Sequence, residues 1–132
     1  ICSWVEDWQD YLSATYARAK RQSGAMGFYI DEYGFTNPGH FCYSNSHGHP
    51  VPASPIPGER EMTRRVREAV GQECVIYTEE SPPDITSIYQ DGSFTYNISS
   101  APDEWSPTHI NLYRFAFPQF KTINIITCDR PL

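Results

Sequence analysis

Two short apolar runs, Met26-Gly27-Phe28-Tyr29-Ile30 and Cys74-Val75-Ile76-Tyr77-Thr78, flank a stretch with helical periodicity, and that order restricts the fold more than any other feature. Continuous rather than alternating apolar runs are the mark of strands buried on both faces, as in a parallel sheet. A strand, a crossover helix and a second strand pair in parallel through a right-handed connection. The helix between them is predicted over Glu59 to Val70, with Met62, Val66 and Ala69/Val70 on one face and Gly71 as its C-cap. Arg60, Arg64, Arg65 and Arg67 fall largely elsewhere and read as a solvated face in preference to an anion site.

The elements on either side extend the pattern. Val5, Trp8, Leu12 and Tyr16 recur at spacings of three and four, predicting an amphipathic helix opened by a Ser3/Glu6 capping box and stopped by Ser23-Gly24. Arg18, Lys20 and Arg21 crowd its far end, where cations complement the helix dipole. Beyond the second strand, a turn of helix is expected within Asp84 to Tyr89 and a short excursion strand at Ser93 to Ile98. A third main strand is expected at Ile110 to Phe117, and a further β-branched run occupies Ile123 to Thr127. The fold class expected is α/β, with parallel strands, crossover helices and long loops after the strands.

Composition narrows the function. The chain has 132 residues, enough for about one domain, and its Lys+Arg 10 against Asp+Glu 16 gives a net charge of −6. An acidic chain without a basic stripe offers no electrostatic footprint for nucleic acid or an anionic membrane, so neither is an expected partner. No apolar run approaches the roughly 20 residues of a membrane-spanning helix. The opening Ile1-Cys2-Ser3-Trp4 has neither Met nor the layout of a signal peptide, and reads as the interior of a longer chain. Cys2, Cys42, Cys74 and Cys128 are widely spread without a C-x-x-C pair, which favours buried free thiols over a structural zinc site. The loop from Phe35 to Gly58 is rich in Pro, aromatics and His, and loops of that length are often functional.

Each apolar run ends in acids: Asp31-Glu32 after the first and Glu79-Glu80 after the second. The carboxyl ends of neighbouring parallel strands open into one crevice, so these acids are expected to converge. Two facing carboxyl groups are what glycoside hydrolysis needs, one ionised as nucleophile or base and one protonated as donor to the leaving oxygen. The plainer reading is that such acids cap the next helix or pair with arginine. Arg114, inside an apolar run, is expected either to meet one of these carboxylates or to lie exposed on a rim.

Gly27-Phe28-Tyr29-Ile30-Asp31-Glu32-Tyr33-Gly34, Tyr77-Thr78-Glu79-Glu80 and Leu112-Tyr113-Arg114-Phe115-Ala116-Phe117-Pro118 together resemble the central part of a TIM-barrel family that carries a domain of unknown function. That family is grouped with glycosidases of the α-galactosidase and α-amylase kinds. The resemblance spans about Gly24 to Lys121 and implies a partial (β/α)8 barrel. It implies Asp31 in the place of the strand-four nucleophile and Glu79 or Glu80 in that of the acid/base, without naming a sugar. A full barrel needs about 250 residues, so residues 1–132 are expected to form a single-domain fragment of a larger catalytic barrel, with the rest of the parent chain as its partner.

The expected function is therefore hydrolysis of O-glycosidic bonds, with Asp31, Glu79 and Glu80 catalytic and Tyr33, His47, His49 and Arg114 contacting a carbohydrate substrate or supporting the acids. No cofactor or metal is called for. Two rival readings stand beside it. His47-Gly48-His49 sets two imidazoles within chelating reach, with Asp31 or His40 to complete a metal-dependent hydrolase. Alternatively Tyr33, Phe35, Phe41, Tyr43 and Trp105 stack on sugar rings in a non-catalytic carbohydrate-binding piece, or simply fill the core. Glycan processing would be compatible with secretion, although no targeting segment supports it.

Overall fold

The structure, a computed structural model, describes residues 1–31, 33, 41–79, 84–95 and 115–124. The described chain runs α1 (Glu6–Ser23), β1 (Gly27–Ile30), α2 (Pro55–Val70), β2 (Val75–Thr78), α3 (Asp84–Ser87), β3 (Gly92–Thr95) and β4 (Lys121–Asn124). The strands form a four-stranded sheet in the order β1-β2-β3-β4, every pair parallel. The α/β class and the parallel pairing follow the sequence expectation. Among the described residues no helix is long and apolar enough to cross a membrane.

Local chemistry sets the helix ends. The predicted capping box does not form: Val5 is the N-cap of α1 without a side-chain hydrogen bond. Ser3 instead donates from Oγ to the Pro55 carbonyl at 2.9 Å, so a tertiary contact outcompetes the local one. At the other end Gly24 takes the left-handed conformation (φ 70°) and its N–H closes on Lys20 O. Helix α2 starts four residues before the predicted Glu59. Ser54 is its N-cap, accepting from Ile56 N–H at 3.3 Å, and Pro55 fills the first position, where no intrahelical donor is needed.

One face of the sheet is covered. Ile30 and Ile76 pack with Met62, Val66 and Val70 of α2, and Trp8, Leu12, Tyr16 and Phe28 close over them. Tyr16 meets Phe28 edge-to-face at 5.0 Å. Ala69 is exposed, so Val70 alone continues that stripe. The opposite face departs from the expectation of strands buried on both sides. There Tyr29 and Tyr77 pack against Phe94, at 5.1 and 6.4 Å between ring centroids, while Tyr29, Val75 and Ile123 stay exposed among the described residues. Gly92 makes this face possible: a Cβ on it would stand 2.1 Å from Lys121 O and 2.4 Å from the Tyr77 ring.

The excursion strand predicted from Ser93 is instead an integral strand, β3, pairing β2 on one side and β4 on the other. The third main strand predicted at Ile110 to Phe117 is not seen where it can be checked. Residues 110–114 lie outside the described set, and Phe115 and Ala116 are helical. The edge strand is formed by Lys121–Asn124, which overlaps the run expected at Ile123. Arg67, assigned to a solvated face from sequence, is buried. It donates to the carbonyls of Tyr89, Gly71 and Cys74 and to Asp91, whose Oδ2 also accepts from Ile76 N–H at 2.7 Å.

Candidate functional site at the carboxyl edge of the sheet

Parallel strands linked by returning helices set the polarity of the molecule. The chain leaves β1 and β2 at one edge of the sheet, and α1 and α2 each end just before a strand begins. The N-termini of both helices therefore lie at the carboxyl edge, together with Cys2 and the loop 41–54.

The β1–β2 register runs Gly27↔Val75 to Ile30↔Thr78, and the ladder continues one step further through Glu79 N–H donating to Ile30 O at 3.2 Å. Asp31 and Glu79 are thus the next residues along adjacent strands, at the same level. Register with β3 and β4 puts Phe94 and Ile123 in the same row. Of the residues singled out from sequence, Asp31 is exposed and Glu79 half-buried, while Glu80 and Arg114 lie outside the described residues, as do Glu32, His40 and Cys128.

Tyr33 lies beneath this edge rather than on it. Its ring is in the core, and its hydroxyl donates to the Glu59 carbonyl and lies 2.6 Å from Thr63 Oγ1. Burial pushes the phenol well above its ordinary range, so it stays protonated. It braces the exit of β1 against the first turns of α2. Glu59, one turn into α2, is not singled out by the sequence. Burial raises its carboxyl to about 7, and its Oε2 has no hydrogen-bond partner. Only the fold reveals this, because an acid near a predicted helix start is ordinary in sequence.

His47 and His49 each face a thiol. Cys42 Sγ lies 3.4 Å from His47 Nε2, and Cys2 Sγ lies 3.5 Å from His49 Nε2. One donor atom from each of the four residues falls within 4.8 Å of all the others. The expectation of dispersed buried thiols holds for Cys74, at 1% exposure, but Cys2 and Cys42 are half-buried and share this cluster. A backbone hydrogen bond at Ser44 and contacts with His47, Cys2 and His49 hold the Cys42 thiol down at about 6, against the opposing effect of burial. Burial raises Cys2. A backbone hydrogen bond to Pro50 raises His49.

A cleft of ≈ 650 Å³ lies beside the cluster, between the helix N-termini, with Trp4, His47, Gly48, Gly58 and Arg65 in its walls. Asp31 and Glu79 are not part of its lining. Compared with protein-family models and with curated proteins, the chain finds no match in either.

Proposed function

We propose that this chain is the central part of a TIM-barrel glycoside hydrolase, cleaving O-glycosidic bonds with Asp31 as nucleophile or base and Glu79 as proton donor. The observation that carries the reading is the β1–β2 register, which sets these two residues level at the carboxyl edge of adjacent parallel strands. Catalytic groups of (β/α)8 enzymes come from strand ends at that edge.

Three further features support it. The strands follow one another in space in chain order, as they do in a barrel and not at the reversal point of a doubly wound sheet. The helices cover one face, while the other presents a cluster of aromatics, Tyr29, Tyr77 and Phe94, of the kind that fills a barrel interior. Finally, the Tyr33 hydroxyl donates to the Glu59 carbonyl, which ties the chain just past Asp31 to α2. The remaining strands of the barrel would come from the rest of the parent chain, and the substrate is a carbohydrate. Glu80, Arg114 and the aromatics of the long loop belong to this proposal as further contacts to sugar.

The test is hydrolysis of a panel of aryl glycosides by the parent protein and its Asp31→Asn and Glu79→Gln variants. Glu79→Gln is expected to lose roughly 10²–10⁴-fold on substrates with poor leaving groups and much less on activated ones. Asp31→Asn is expected to lose several orders of magnitude on both. If sugar binding is present and both variants turn over at the wild-type rate, the carboxylates only hold hydroxyl groups and the chain is a binding module.

A further inference from the structure

We propose that Cys2, Cys42, His47 and His49 form a tetrahedral Cys2His2 zinc site that fastens the N-terminal segment to the loop 41–54 above the carboxyl edge of the sheet. The argument is geometric. A tetrahedral zinc with sulfur at about 2.3 Å and nitrogen at about 2.0–2.1 Å has sulfur–nitrogen edges of about 3.6 Å. The two observed sulfur–nitrogen separations are 3.4 and 3.5 Å, and the whole donor set fits within 4.8 Å. Closing the longest separations onto a metal needs side-chain shifts on the order of 1 Å.

The ring orientations carry the same message. His49 Nδ1 lies 2.7 Å from the Pro50 carbonyl, which can only accept, so Nδ1 carries the proton and the Nε2 lone pair faces the sulfur of Cys2. His47 Nδ1 is paired with Ser46 Oγ at 3.2 Å, leaving its Nε2 toward Cys42. Fixing the remote nitrogen of each ring is how proteins orient imidazoles for a metal.

The backbone holds the donors in place without help from the metal. Cys42 and Ala53 exchange two hydrogen bonds of 2.9 Å across an antiparallel bridge, and His49 N–H closes on His47 O at 2.9 Å. Trp4 Nε1 donates to Ser54 O at 2.8 Å and its ring stands 5.8 Å from His49. Gly58 lets this contact form, since a Cβ there would lie 2.6–2.8 Å from Ser3 and Trp4. Tetrahedral S2N2 donor sets select zinc over copper(II), nickel or the hard cations. Both thiols release their protons to solvent on binding, so the two thiolates neutralise the dication. With four protein donors no vertex is left for water, so the site is structural and separate from the carboxylate chemistry.

Protein purified under reductant with zinc present, then freed of loose metal, is expected to hold about one zinc per chain. X-ray absorption should show two sulfurs near 2.3 Å and two nitrogens near 2.0–2.1 Å. Cobalt(II) should give a thiolate charge-transfer band that Cys42→Ser weakens and that the Cys2→Ser/Cys42→Ser double variant abolishes. Because those variants risk misfolding, the absorption measurement on unaltered protein decides the matter alone. A metal shell without sulfur, no retained zinc, or a Cys2–Cys42 disulfide forming in reductant in place of zinc binding would each overturn the site.

Discussion

At the amino ends of the strands, Arg67 is buried and its nitrogens meet three carbonyls and the Asp91 carboxylate, whereas at the carboxyl ends Glu59 keeps one carboxylate oxygen unbonded and two thiols face two imidazoles. Lys20 closes the amino end further by pairing with Glu73 and donating to Val70 O. One edge has its charge matched locally, which is what stability requires of buried ionic groups. The other holds donor and acid groups whose partners would be a metal or a substrate. The same helix–strand scaffold serves both ends, and the chain differs by edge: charges paired locally at one, an unbonded carboxylate oxygen and a thiol–imidazole cluster at the other.

The largest effect expected from this contrast is at Arg67. Arg67→Ala strands three carbonyls and the Asp91 carboxylate, and should cost about 3–5 kcal/mol in urea unfolding while leaving the zinc content of the folded protein unchanged. A cost under about 1 kcal/mol would show that the amino edge is not held by that side chain. Gly92→Ala comes next. Its Cβ meets the Lys121 carbonyl and the Tyr77 ring, and strands β2 and β4 have little freedom to part. A loss of about 1–3 kcal/mol is expected, with Gly48→Ala, in open space, as the neutral control.

How much of this was legible beforehand follows the range of the interactions. The α1 stripe of Trp8, Leu12 and Tyr16, the Gly24 stop and the parallel pairing of β1 with β2 are written in local periodicity and apolar runs. The start of α2 is not legible because Ser54-Pro55 sits in a Pro-rich stretch that reads as loop, whereas it forms a cap followed by a first-turn proline. The role of Ser3 is hidden because its partner, Pro55, is 52 positions away. The cluster of Cys2, Cys42, His47 and His49 is only half legible for the same reason: the sequence shows the two imidazoles within chelating reach but not the two thiols beside them. Cys42 and the His47-Gly48-His49 turn are neighbours in sequence, but Cys2 arrives only through the packing of α1 against α2. Burial of Arg67 likewise depends on β3, whose parallel insertion beside β2 no local pattern announces.

The smallest effect sharpens the same contrast through pH. Burial raises the Glu59 carboxyl from 4.5 to about 7, so between those values the folded chain binds more protons than the unfolded one. Stability then falls as pH rises through that window, the opposite of the usual behaviour of a paired carboxylate. Glu59→Gln removes the titration while keeping the shape. Because Glu59 is only part-buried, the full linkage value is reduced by solvent screening, and the variant should be about 1–2 kcal/mol more stable than the parent at pH 8. At pH 4 the two should unfold at the same urea concentration, because the folded parent is then already neutral at this position. Equal stability at pH 8 would mean that Glu59 is compensated like Arg67, and the two edges of the sheet would no longer differ in the way their buried charges are held.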